Sequence, residues 1–159
     1  MDDISVIEGD LGNASVQRDF LAMMDAYVLD PMEGGQPLAA AVRRELVPEL
    51  RKHPAHFVFL AYHREAAIGF STCILGFSSF AARPLINVHD IGVLAEYRGC
   101  GVGRALLSAI EAKARSLGCC KLTLEVRVDN VPARNLYRKF GFEQSTIGTV
   151  AQEFWDKSL

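Results

Sequence analysis

Between a strand-like segment ending near Val93 and a helix-like segment beginning near Gly103 lies Arg98-Gly99-Cys100-Gly101-Val102-Gly103. Glycines at alternate positions let a backbone take positive φ and come close to a ligand. A helix that starts just after them offers unpaired N–H groups and a partial positive charge. Together these make a site for a phosphate or pyrophosphate, with Arg98 and Arg104 placed to add charge. A nucleotide P-loop requires G-x-x-x-x-G-K-[ST], which does not occur. A dinucleotide fold requires G-x-G-x-x-G directly after a strand, with an acidic residue about 20 positions on. Glu125 stands near that distance, but the spacing here is G-x-G-x-G and a polar segment separates strand from glycines.

The chain around this loop reads as alternating elements. Ile4–Ile7 forms a strand. A helix capped by Asp10 or Asn13 runs to Val28, and Gly and Pro crowd the loop 30–37 that follows. Pro37 starts a second helix, Leu38–Lys52. His56–Tyr62 and Ile68–Leu75 form a hairpin, and Leu85–Val93 is a further strand. Gly103–Leu117 is helical, Leu122–Val126 a strand, and Pro132–Phe140 a helix stopped by Gly141. Closing strands begin near Phe142. This order predicts one α/β domain over 159 residues, its mixed sheet holding a central parallel pair flanked by about four helices.

Lys+Arg is 17 against Asp+Glu 19, a net charge of −2, which gives no electrostatic basis for a nucleic-acid partner. No apolar run approaches the ~18 residues of a membrane span, and the acidic start Met1-Asp2-Asp3 is unlike a secretory leader. A cytoplasmic protein is expected. The 4 Cys and 4 His lack metal-ligand spacing, so no metal and reduced thiols are expected. Cys100, in the glycine loop before a helix, is the thiol best placed for reactivity.

Arg98–Gly103 is similar to the R/Q-x-x-G-x-G/A signature of the GCN5-related N-acetyltransferase (GNAT) superfamily. Asn130-Val131-Pro132-Ala133-Arg134-Asn135-Leu136-Tyr137-Arg138-Lys139-Phe140-Gly141-Phe142 resembles that family's N-x-x-A-x-x-L-Y-x-x-x-G-F. The close match covers residues 86–142; residues 1–80 match by element order. The resemblance implies an acetyl-CoA-dependent N-acetyltransferase with its central parallel strands splayed around acetyl-CoA. The acceptor is expected to be a small-molecule amine; a protein or peptide amine, or a non-catalytic acyl-CoA sensor, is the alternative.

The resemblance also implies positions. The N–H groups of Gly99, Cys100, Gly101, Val102, Gly103 and Arg104, with Arg98, would hold the pyrophosphate. The backbones of Ile91 and Val93 would pair with the pantetheine amides as an added strand. Asn130, Ala133 and Tyr137 share one helix face, where Tyr137 would donate a proton to the departing thiolate and Asn130 would bond the cofactor. The base is open between His89, Asp90 and a water. His89 stands where relatives such as diamine acetyltransferases carry a glutamate, and an imidazole titrates near neutrality. Strict alternation puts Asn87, His89, Ile91 and Val93 on one strand face and Asp90 on the other. Tyr27, Asp30 and Glu33 lie where such a fold builds its acceptor pocket. Edge strands and the apolar Phe154, Trp155 and Leu159 make a homodimer an expectation.

Overall fold

The computed structural model describes residues 3–147, 149–151 and 157–158. Strands β1 (Ile4–Glu8), β2 (His56–His63), β3 (Ala66–Ser78), β4 (Arg83–Val93) and β5 (Leu122–Leu124) form one sheet in that order. Successive neighbours are antiparallel except β4 and β5, which run parallel. A parallel pair needs a long crossover, supplied here by helix α3 (Val102–Ser116). Helices α1 (Ala14–Val28) and α2 (Ala40–Lys52) precede β2, and α4 (Val131–Phe140) follows β5. Two short strands, β6 (Thr146–Ile147) and β7 (Val150–Ala151), pair separately.

Strand alternation divides the core in two. Phe59 and Ala61 of β2 pack with Val102, Leu106 and Ile110 of α3, while Val58 and Leu60 face Phe20 and Met24 of α1. Helix α3 buries Val102, Leu106, Leu107, Ile110 and Ala114, whereas α2 buries only Val47 among its described residues. Each buried Val, Leu or Ile contributes about 1.5–3 kcal/mol. The helix that carries the glycine loop is therefore firmly anchored, and α2 is the loosely held layer.

Most predicted boundaries match within a few residues, and the exceptions have local causes. Helix α1 is capped by Asn13, whose Oδ1 accepts from Ser15 N–H at 2.9 Å. Asp10 instead accepts from Gly12 N–H at 2.7 Å, closing the preceding turn. Helix α2 begins at Ala40 rather than Leu38 and has no side-chain cap, so Pro37 belongs to the loop. Strand β5 ends at Leu124, short of the predicted Val126. Phe154, Trp155 and Leu159 lie outside the described residues. Among the described residues no helix is long and apolar enough to cross a membrane.

Candidate active site

The glycine loop makes an open helix end. Gly99 and Gly101 have φ of +75° and +91°, in the region that disfavours side chains. Gly101 is the cap of α3 and no side chain bonds there. The helix ladder starts with Ala105 N–H to the Gly101 carbonyl at 3.0 Å, so the N–H groups of Val102, Gly103 and Arg104 precede it. A Cβ on Gly99 or Gly101 would meet nothing within 4 Å; the space before the loop is free for a ligand. Gly103 serves packing instead. A Cβ there would come within 2.8 Å of Leu136 Cδ2, so its bareness lets α3 and α4 approach closely.

Beside this loop the parallel strands part. Pairing of β4 with β5 covers Ile86↔Leu122 to Val88↔Leu124 and stops, while β4 continues to Val93. Leu94 N–H bonds the Ile68 carbonyl at 3.0 Å, which makes Val93↔Gly69 a non-hydrogen-bonded pair of the β3–β4 ladder. Ile91↔Ser71 follows two residues on in the same phase. The N–H and C=O groups of Ile91 and Val93 therefore point away from β3, to the edge that β5 has left.

Arg98 is engaged within the protein. Its Nε donates to the Val93 carbonyl at 3.1 Å and its Nη2 to Asp30 Oδ2 at 2.5 Å. Asp30 Oδ1 caps the 3-10 turn Pro31–Glu33 by accepting from Met32 N–H at 2.8 Å. The Met32 amide and then Arg98 hold the Asp30 carboxyl below its usual range. Arg98 thus ties the loop after α1 to the end of β4, in place of the free cation expected from the sequence.

A β-bulge corrects the predicted alternation. Thr72 pairs with Asp90 but Cys73 pairs with Val88, which leaves His89 as the extra residue. The phase changes there. Ile86 and Val88 before the bulge, and Ile91 and Val93 after it, all pack with the α3 core. Gly92 lies opposite Phe70 and under Tyr27, where a Cβ would come within 2.9 Å of both rings. Asp90, two residues earlier, faces that same side, and His89 is exposed at the bulge.

Asp90, Tyr27, Glu33 and Tyr137 interact electrostatically. Burial raises the Asp90 carboxyl's pKa and Glu33 adds to it, while His89 and the Thr72 hydroxyl favour the anion. Thr72 Oγ1 is buried without a hydrogen bond of good geometry among the described residues. Burial, then Glu33 and Asp90, pushes the Tyr27 phenol well above its usual value. Tyr137, buried and edge-on to Phe142 at 5.8 Å, is pushed up to about 12 by burial and by Glu33.

These parts line one cleft of about 1100 Å³. Of the residues singled out in the sequence, Ile91, Val93, Arg98, Gly99, Gly101, Val102, Gly103, Arg104, Asn130, Ala133 and Tyr137 line it, with Tyr27, Asp30 and Glu33. His89, Asp90 and Cys100 do not. Asn130 Oδ1 caps α4 through Ala133 N–H at 3.3 Å, so that atom is used locally. Cys100 is exposed, its thiol 3.7 Å from the Arg98 carbonyl. Sequence reasoning missed Leu29, Met32 and Phe70; Met32 neighbours the acidic positions it singled out, and only tertiary packing brings in Phe70.

The arrangement is an open helix end joined to the β4 edge that β5 leaves, with the buried Tyr137 phenol in the same cleft. Residues 20–142 match the acetyltransferase (GNAT) family model. The chain belongs to that family. A mycothiol acetyltransferase of Thermobispora bispora is 35% identical over 126 residues, 79% of this chain and 42% of its own length. An N-alpha-acetyltransferase of Sulfurisphaera tokodaii is 42% identical over 77 residues, 45% of this chain and 46% of that protein. The chain spans less than half the length of these curated relatives. An aminoglycoside acetyltransferase from an uncultured soil metagenomic sample, solved in complex with sisomicin, shares the fold. Its TM-score is 0.78 at 13% identity, over 98% of this chain and 97% of that one.

Proposed function

We propose that the chain is an acetyl-CoA-dependent N-acetyltransferase acting on a small-molecule amine. The observation that carries this reading is the joining, in one cleft, of the open α3 N-terminus and the backbone edge of β4 at Ile91 and Val93. A pyrophosphate with an amide-bearing arm fits both: the anion takes the helix N–H groups, and the amides pair with the strand edge as an added strand. The unfilled space at Gly99 and Gly101 fits the same group.

Bound there, acetyl-CoA supplies an activated acyl carbon and a thiol leaving group. The protein's residues supply proton transfer and orientation. Asp90, whose raised pKa brings it closer to neutral pH, takes one proton from the acceptor ammonium so that the neutral amine attacks. His89 assists by favouring the Asp90 anion. The Val93 N–H polarises the acyl oxygen as the N–C bond forms and the C–S bond breaks. Arg98 steadies that N–H by holding the Val93 carbonyl. Tyr137 hydrogen-bonds the departing sulfur. The amine loses two protons in all, one to Asp90 and then solvent, the other balancing the thiol.

Thermal denaturation with acetyl-CoA, CoA, NAD+ and ATP tests the reading. At ~100-fold excess over Kd a ligand stabilises the native state by about 2.7 kcal/mol. A rise in Tm with acetyl-CoA and CoA alone, followed by CoA-thiol release with an amine panel, is expected. A shift without release from any amine would leave an acyl-CoA sensor; no shift would overturn the reading.

Gly101→Val should abolish the CoA-induced shift. The side chain would enter the space kept for the anion, and φ of +91° costs it about 1–2 kcal/mol. A folded variant that still binds CoA tightly would refute the placement.

A further inference from the structure

The residues around the acceptor end of the cleft differ from those a polyamine requires. Leu29 and Met32 line the cleft and are 52% and 37% exposed. Apolar side chains left in water in a cleft mark a binding surface.

The charges are balanced. The lining carboxylates Asp30, Glu33 and Glu96 are matched by Arg98, Arg104 and Lys139. Asp30 is already held by Arg98, and Arg127 by Asp129 at 2.8 Å. That leaves Glu33 and Glu96 as exposed carboxylates of the lining, while Asp90 is half-buried and outside it. A polycation would need a carboxylate for each ammonium, and a polyhydroxylated one would bury hydroxyls unpaired against Leu29 and Met32.

We infer that the acceptor is a monoamine carrying an apolar body, alkyl or arylalkyl, its ammonium near Glu33 and its body across Leu29 and Met32. The inference rests on the acetyl-transfer reading above and narrows it. It separates this chain from what the name of the sisomicin-bound neighbour says of that protein.

The test measures kcat/KM by CoA-thiol release for the full chain with acetyl-CoA. The amines are ethylamine, butylamine, hexylamine and phenethylamine, with spermidine, kanamycin and a peptide with an N-terminal Phe alongside. The monoamine series should rise with chain length, approaching fourfold for each methylene that is fully buried. Met32→Gln should flatten that rise, and its CoA-induced thermal shift reports that it is folded; its backbone N–H, which bonds Asp30, is kept. Release that is flat along the series, or fastest with spermidine, kanamycin or the peptide, would overturn this inference and leave acetyl transfer standing. A rise that Met32→Gln leaves intact in a folded variant would overturn the placement of the apolar body. No release from any amine, with no thermal shift by CoA, would overturn the acetyl-transfer reading itself.

Discussion

Tyr137→Phe should lower kcat by about 10²–10³-fold while acetyl-CoA still binds, within the range that positioned proton donors contribute. The substitution removes one hydroxyl. The ring stays buried and keeps its edge-on contact with Phe142, so Tm should change little. Burial and Glu33 hold the phenol up to about 12, above a thiol near 8.5. Complete proton transfer to sulfur is therefore uphill, and the phenol acts chiefly by hydrogen bonding as negative charge develops on the leaving group. The loss should consequently be nearly the same at every pH from 6 to 9, because the phenol stays protonated throughout. Single-turnover rates with acetyl-CoA and the thermal shift with CoA check this. Full turnover in a folded Tyr137→Phe variant would remove Tyr137 from the chemistry.

The glycine loop and the α4 block were legible because their signals are local. Pro132 and Gly141 mark the ends of α4 in the sequence itself, and the structure has them as first turn and stop; Asn130, read as a cofactor contact, is its cap. Positions set by distant pairing were not legible. Arg98 reads as a cation beside the anion site, and that it also bonds Asp30, 68 residues away in sequence, is visible only in the fold. Alternation along β4 assumed an unbroken pleat. One inserted residue at His89 reverses the phase, so Ile91 and Val93 join Ile86 and Val88 at the α3 core and Asp90 and Gly92 take the opposite face. That insertion is visible only through the partner strand, since no residue type in Asn87–Ile91 announces a bulge. The early stop of β5 is likewise a property of the pair, and it is what exposes the backbone edge of β4.

The same bulge sets up the second large effect. Asp90→Asn should lower kcat/KM by about 10²–10⁴-fold and raise Tm at neutral pH. Burial is the main reason that the Asp90 carboxyl titrates high. The native state therefore binds its proton more tightly than the unfolded chain does. The linkage sign follows: this group's contribution to stability falls as pH rises from the ordinary carboxylate range through the raised value. At neutral pH the folded protein carries a half-buried charge that costs stability, and a neutral amide of the same shape removes that cost. The expected pair of results, less activity with more stability, marks a carboxylate kept for chemistry. A merely structural acceptor would lose stability on the same change, because its partners would be left unpaired. In the wild-type chain kcat/KM should fall on the acid side as Asp90 takes up its proton. His89→Ala should move that limb to higher pH with a smaller loss of rate, since His89 favours the anion. If His89→Ala abolished turnover while Asp90→Asn remained active, the base would be the imidazole at the bulge and the carboxylate only its neighbour.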